Sequence, residues 1–436
     1  MKRKFAAAAG IAIVATLSLA ACSGGSGDTP AAEESSGPVT LTLSGWSLET
    51  TPEFQTLADA FHEKNPDVTV ELKEYDPANY NTLVTADLAA GVGPDIITQK
   101  EVKYVTTFQE GGQLLDVSDV TLPDDISGTS SYEVDGATYG VPYRQDSWVL
   151  FYNKDLFDQA GVDYPDGSWT WDDYDKAAAA LTEGLGGAGS AAKGTYQHRW
   201  QSTIQGFANA QSKDGDILKG DYGYLKPYYE RVLALQDAGY QVDFNTSSAN
   251  QLTYQGEFGK QNAAMLPMGT WYVATLIAQQ ASGDADTFNW GIAPIPQLDE
   301  KTTGTDNTPV TFGDPTGFSI NANVDDAKVS AAKKFLEFAA SEDAAKALAA
   351  IGITPALLND AVVETYFGVK GAPTDDLSKF AFSTHETKPE NPTSSKTAAI
   401  QGILGDLHTA VMSGSDSIDN AIKTAEDRVK NEVGLD

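Results

Sequence analysis

The chain predicts an α/β fold of two lobes. Two observations carry this reading. Strand and helix patterns alternate from Val39 onward, and 436 residues can bury one large core or two medium ones, a length that favours two lobes. Val39 to Ser44 alternates apolar and hydroxyl side chains, a strand with Val39, Leu41 and Leu43 on one face. Thr51 as N-cap and Pro52 in the first turn open a helix carrying Phe54, Leu57, Ala58 and Phe61 at helical spacing. Val68, Val70 and Leu72 mark a second strand. Tyr80, Leu83, Val84 and Leu88 mark a second helix, closed by Gly91, and Gly93 to Ile97 opens a third strand. Ligands of such sheets bind beyond the carboxyl ends of the strands, where Trp46 to Glu49 and Thr98 to Lys100 fall.

Farther along, Trp148 to Tyr152 reads as a strand. Thr170 to Asp173 has the layout of a capping box and leads into a helix with Ala178 to Leu181. Val329, Ala332, Phe335, Leu336 and Ala339 form an amphipathic helix. Ser341 caps another, with Glu342 and Asp343 at its positive end. Ile400, Ile403, Leu404, Leu407 and Val411 give a helix near the C-terminus. No internal repeat is present.

Composition narrows the function. Lys+Arg 29 against Asp+Glu 61 gives a net charge of −32, which repels phosphate backbones and excludes nucleic acid as a partner. One cysteine permits neither an intramolecular disulfide nor a Cys-rich zinc site. The basic Met1 to Lys4 and the apolar Phe5 to Ala21 read as an export signal. Its end, Leu19-Ala20-Ala21-Cys22, resembles the bacterial lipobox. That resemblance implies a signal over 1–21, lipidation of Cys22 and anchoring at the outer face of the cell membrane. Residues 22–38, rich in Gly, Ser and acid, are expected to be a flexible tether.

The segments together resemble the extracellular solute-binding proteins of carbohydrate ABC importers, the group that includes maltodextrin-binding proteins. The segments are Phe61 to Pro66 with Val68 to Val70; Gly91 to Ile96; Tyr139 to Tyr143; Phe151 to Phe157; Trp169 to Asp172; Gly259 to Met265 with Gly269 to Trp271; Trp290 to Pro294; and Gly317 to Asn321. Their order along the chain is that of the family. The resemblance implies a periplasmic-binding-protein-like fold whose two α/β lobes are discontinuous and joined by a hinge, with ligand in the cleft. The lobes would take residues 39–145 plus 315–365 and 147–312 plus 366–436. It further implies a monomeric receptor without catalytic residue, cofactor or metal. Such a receptor hands a carbohydrate, expected to be an oligosaccharide, to a permease and its ATPase.

Aromatic rings cover the C–H faces of a sugar, while carboxylates and amides bond its hydroxyl rim. By the resemblance, Trp271 stacks on a ring and Asp146, after the Val-Pro-Tyr strand, binds hydroxyls. Gln99 stands where maltodextrin binders place an aromatic, which puts a maltodextrin ligand in question. Trp46 ends the first strand facing the expected cleft, and Asp314 lies at the second crossing between lobes. Trp200 and His385 lie in variable regions where the family often contacts ligand; Tyr272, Glu49 and Lys100 complete the candidates. Trp169, Trp171 and Trp290 read as packing residues.

Gly184 to Gly189 fits a nucleotide-loop pattern but follows a helix, and Asp214, Asp216 and Asp221 fit no standard calcium spacing. An exported glycoside hydrolase, with a Trp-lined cleft and two acids, and a binder of peptides or cationic solutes remain alternatives.

Overall fold

Strand β1 (Val39–Gly45) buries Leu41 and Leu43 completely, as its alternation predicts. In the computed structural model, residues 37–49 and 52–435 are described; Cys22, the signal and Thr51 as a cap lie outside them. The first helix begins at Glu53, with Pro52 at the capping position. In chain order follow β2 (Val68–Glu74), β3 (Ile96–Gln99), the short hairpin β4 (Glu133–Val134) and β5 (Ala137–Thr138), and β6 (Val141–Gln145). Then come β7 (Trp148–Asn153), β8 (Lys193–Thr195), β9 (Ala263–Gly269), β10 (Trp290–Ala293), β11 (Val310–Phe312), β12 (Pro315–Ile320) and β13 (Glu386–Lys388).

Two sheets organise the molecule. The first has the order β2-β1-β3-β12-β6, with β1 parallel to β2 and β3, and β12 antiparallel to both neighbours. Helices Glu53–Lys64 and Asp326–Ala339 pack together on it, Phe61 meeting Phe335 edge-on at 5.2 Å. Asp95 ties this sheet internally: it accepts from the Thr42 backbone and hydroxyl and pairs with Lys328. The second sheet has the order β10-β7-β9-β8. Its strand β7 is buried at all six positions, the continuous apolar run of an inner strand. Trp171 and Trp290 pack in the core as expected. The Thr170–Asp173 capping box is present, and the Gly184–Gly189 segment follows the C-terminus of that helix.

The chain passes between sheets at neighbouring points. β6 leads through Asp146 and Ser147 into β7, and β11 leads through Gly313 and Asp314 into β12. The two crossings touch: a Cβ on Gly313 would lie 2.1 Å from the Asp146 carbonyl oxygen. Only a residue without a side chain fits. Gly313→Ala should therefore lower stability by about 1–3 kcal/mol through overpacking, read as a reduced urea midpoint at unchanged m.

Candidate functional site

Arg144 lies near the end of β6 and Asp146 just beyond it, and their side chains meet. Arg144 bridges two carboxylates, donating to Glu53 Oε2 at 2.6 Å and Asp146 Oδ2 at 2.5 Å. All three side chains are buried or nearly so: Glu53 is 0%, Asp146 9% and Arg144 12% exposed. Burial opposes the Arg144 charge, but Asp146 and Glu53 outweigh it, so its pKa is raised. Tyr143 Oη donates to the other Glu53 oxygen at 2.9 Å. On the second sheet's side, Thr270 Oγ1 donates to Asp146 Oδ1 at 2.9 Å, and Thr354 donates to Thr270 at 2.9 Å. One chain of polar contacts thus runs from the first helix to the end of β9.

Helix Trp271–Ser282 starts immediately after Thr270. Trp271 is partly buried, edge-on to Trp148 at 5.4 Å and tilted against Trp200 at 6.5 Å. Trp200 is 43% exposed and lies 5.7 Å from Tyr254. Burial raises the Tyr254 pKa against a hydrogen bond with Trp271. Trp200 and Trp271, inclined by 52°, form an aromatic shelf near the Arg144–Asp146 pair, backed by Tyr254, which is only 9% exposed.

Asp314 lies at the second crossing. Its Oδ1 accepts from the backbone N–H of Glu390 and Asn391 at 3.0 and 3.1 Å, and its Oδ2 from the Asn391 amide at 2.5 Å. Ser202, two residues from Trp200, donates to Glu390. Burial pushes the Asp314 carboxyl up to about 6, and burial with the Asp314 charge pushes Glu390 up to about 7.

The other candidates scatter. Trp46 and Lys100 meet at the strand ends of the first sheet, the Lys100 Nζ 5.4 Å from the Trp46 ring centroid. Trp46 also packs edge-on to Phe54 and Tyr80 at 4.9 and 5.2 Å. Glu49 is exposed nearby. Three expectations meet different surroundings. Tyr272 is 0% exposed among Phe151, Tyr254 and Phe258, because successive helix residues diverge by about 100°. Gln99 is 1% exposed, its amide donating to Ser319 inside the first sheet. His385 lines a separate cavity with Gln145 and Ser147, whose neighbours in sequence, Arg144 and Asp146, bond on the shelf side.

Arg144, Glu53, Tyr254 and Glu390 escaped sequence reasoning. Arg144 carried a signal, two residues before Asp146 in a strand. Glu53 sits in the first turn of its helix and its partner is 91 residues away, so no local pattern marks it. Among the described residues no group of three or more His, Cys, Asp or Glu could hold a metal ion, and no helix is long and apolar enough to cross a membrane.

Glu53→Ala strands Arg144 against one carboxylate in a buried site, and should cost about 3–5 kcal/mol in urea unfolding. The Asp314–Glu390 pair predicts a pH effect. Both folded-state pKa values lie above the unfolded ones, so the protonated forms stabilise, and this contribution fades as pH rises through about 6 to 7. Glu390→Gln should flatten that part of the melting-temperature profile.

A sequence profile of bacterial extracellular solute-binding proteins matches residues 46–346. A galactooligosaccharide-binding protein of Bacillus subtilis is 28% identical over 292 residues, 65% of this chain and 66% of that protein. A maltooligosaccharide ABC transporter solute-binding lipoprotein of Streptococcus pneumoniae is 29% identical over 317 residues, 68% of each. With binding proteins of Brucella abortus and Brucella suis the identity is 24% over 274 residues, and the match spans 65% of their length. Among solved structures, a sugar transporter of Rhizobium etli in an open conformation superposes with TM-score 0.79 at 31% identity, covering 90% of this chain and 99% of that one. The two sheets with their paired crossings are therefore the two lobes of a periplasmic-binding-protein-like fold. The chain belongs to the bacterial extracellular solute-binding protein family.

Proposed function

We propose that this protein is a receptor that captures an oligosaccharide between its lobes and delivers it to an ABC permease and its ATPase. The observation that carries this reading is the shelf of Trp271 and Trp200, backed by Tyr254, near the Arg144–Asp146 pair. Flat rings match the C–H faces of successive sugar units, and a carboxylate held by a guanidinium accepts from their hydroxyls. Asp314 and Glu390 extend the acceptor groups toward Trp200, while Trp46 and Lys100 stand ready on the other lobe. The oligosaccharides named for the Bacillus and Streptococcus relatives support this ligand class.

The lobes are assigned to residues 39–145 plus 315–365 and 147–312 plus 366–436, turning about Asp146–Ser147 and Gly313–Asp314. Closure follows when one ligand contacts both lobes. Lipid on Cys22 would hold the monomeric receptor at the outer face of the membrane, near its permease. No step alters a covalent bond of the ligand.

Calorimetric titration of residues 37–436 with a panel of oligosaccharides tests the reading directly. A saturable ligand should compact the particle in small-angle scattering and be recovered at unchanged length. Shortened products would favour a hydrolase, and saturation without compaction would remove hinge closure. Trp271→Ala should weaken that ligand by about 2–4 kcal/mol, one to three orders of magnitude in Kd.

A further inference from the structure

The crossing strands have a second face. Arg144 and Asp146 bond toward the aromatic shelf, whereas Gln145 and Ser147 line a cavity of about 360 Å³. The second crossing repeats the arrangement: Asp314 bonds Glu390 and Asn391, while Gly313 and Pro315 line the cavity. Residues of both lobes complete it, including Ser131 from one and His385 and Thr387 from the other.

The lining is polar but carries no Asp, Glu, Lys or Arg. That is unusual in a chain of net charge −32, and unlike the cavity of about 560 Å³ lined by Lys154, Asp155, Asp158 and Asp375. Burial lowers the pKa of His385, so its imidazole is neutral near pH 7. Ser131 and Ser147, 8% and 1% exposed, bring hydroxyl groups to this lining. Here each can both donate and accept, the pairing a ligand hydroxyl offers in return. Leu358 and Phe382 supply an apolar wall. The volume is within the range of small-molecule sites and is of a scale that suits a single sugar ring.

We propose that this cavity behind the crossing strands is a second ligand site, for a small neutral polyol or monosaccharide. Because the crossing strands form part of its wall, its occupancy and the angle between the lobes are thermodynamically linked, each biasing the other. The site stands on its own lining and does not depend on what the aromatic shelf binds.

D-glucose and sorbitol, titrated into the protein by calorimetry, are the probes. We expect saturable one-to-one binding of at least one of them that survives Trp271→Ala. Thr387→Trp, which fills the cavity, should abolish it or raise Kd at least about tenfold. The milder Ser131→Ala, which removes one hydroxyl, should raise Kd severalfold and covers the case of a misfolded Thr387→Trp. Inorganic phosphate should not compete. Absence of saturable binding by either probe would overturn the proposal. So would binding lost in Trp271→Ala but unaffected by Thr387→Trp and Ser131→Ala, which would place the probe on the shelf.

Discussion

A guanidinium buried between two carboxylates is the constraint on which the site depends. Arg144 lies on the last strand before the chain leaves the first sheet, Glu53 opens the helix packed on that sheet, and Asp146 is already in the crossing. A buried arginine is costly unless both its charge and its donors are satisfied, so the three side chains fix one another. Asp146 is then oriented from one side by Arg144 and from the other by Thr270, the residue before Trp271. Hydrogen bonds around Asp146 thus link the first helix to the residue that precedes the aromatic shelf.

The α/β class was legible in sequence because β1 to β3 and the helices between them carry clean periodicities. Caps were legible too: Ser341 accepts from the Ala344 N–H, and Thr170 with Asp173 forms the reciprocal pair. The insertion of β12 between β3 and β6 left no local trace, since Gly317 pairs with Gln99 across more than two hundred residues. Periodicity reports which face of an element is apolar; it does not report which distant element covers that face.

The site was legible in part for the same reason. Trp271 and Asp146 came from motif resemblance, and both lie at the junction of the sheets. Tyr272 illustrates the limit: one residue along a helix turns a ring from the shelf into the core. Gln99 ends a strand beneath the expected cleft, yet its amide is turned into the sheet and its Oε1 is buried without a partner among the described residues. Glu390 reaches Asp314 only because β13 runs alongside β11 and brings the following loop to the crossing.

The late position of β12 has a kinetic corollary. Until residue 320 is available, β3 and β6 lack the strand that joins them, and the first layer has an open gap at its middle. Pairing segments so far apart requires a large loop-closure entropy, which slows assembly relative to proteins built from neighbouring segments. An emerging polypeptide of this design stays unfinished through most of its synthesis. For a member of an extracellular family, that delay keeps it threadable for longer before it sets into its final shape.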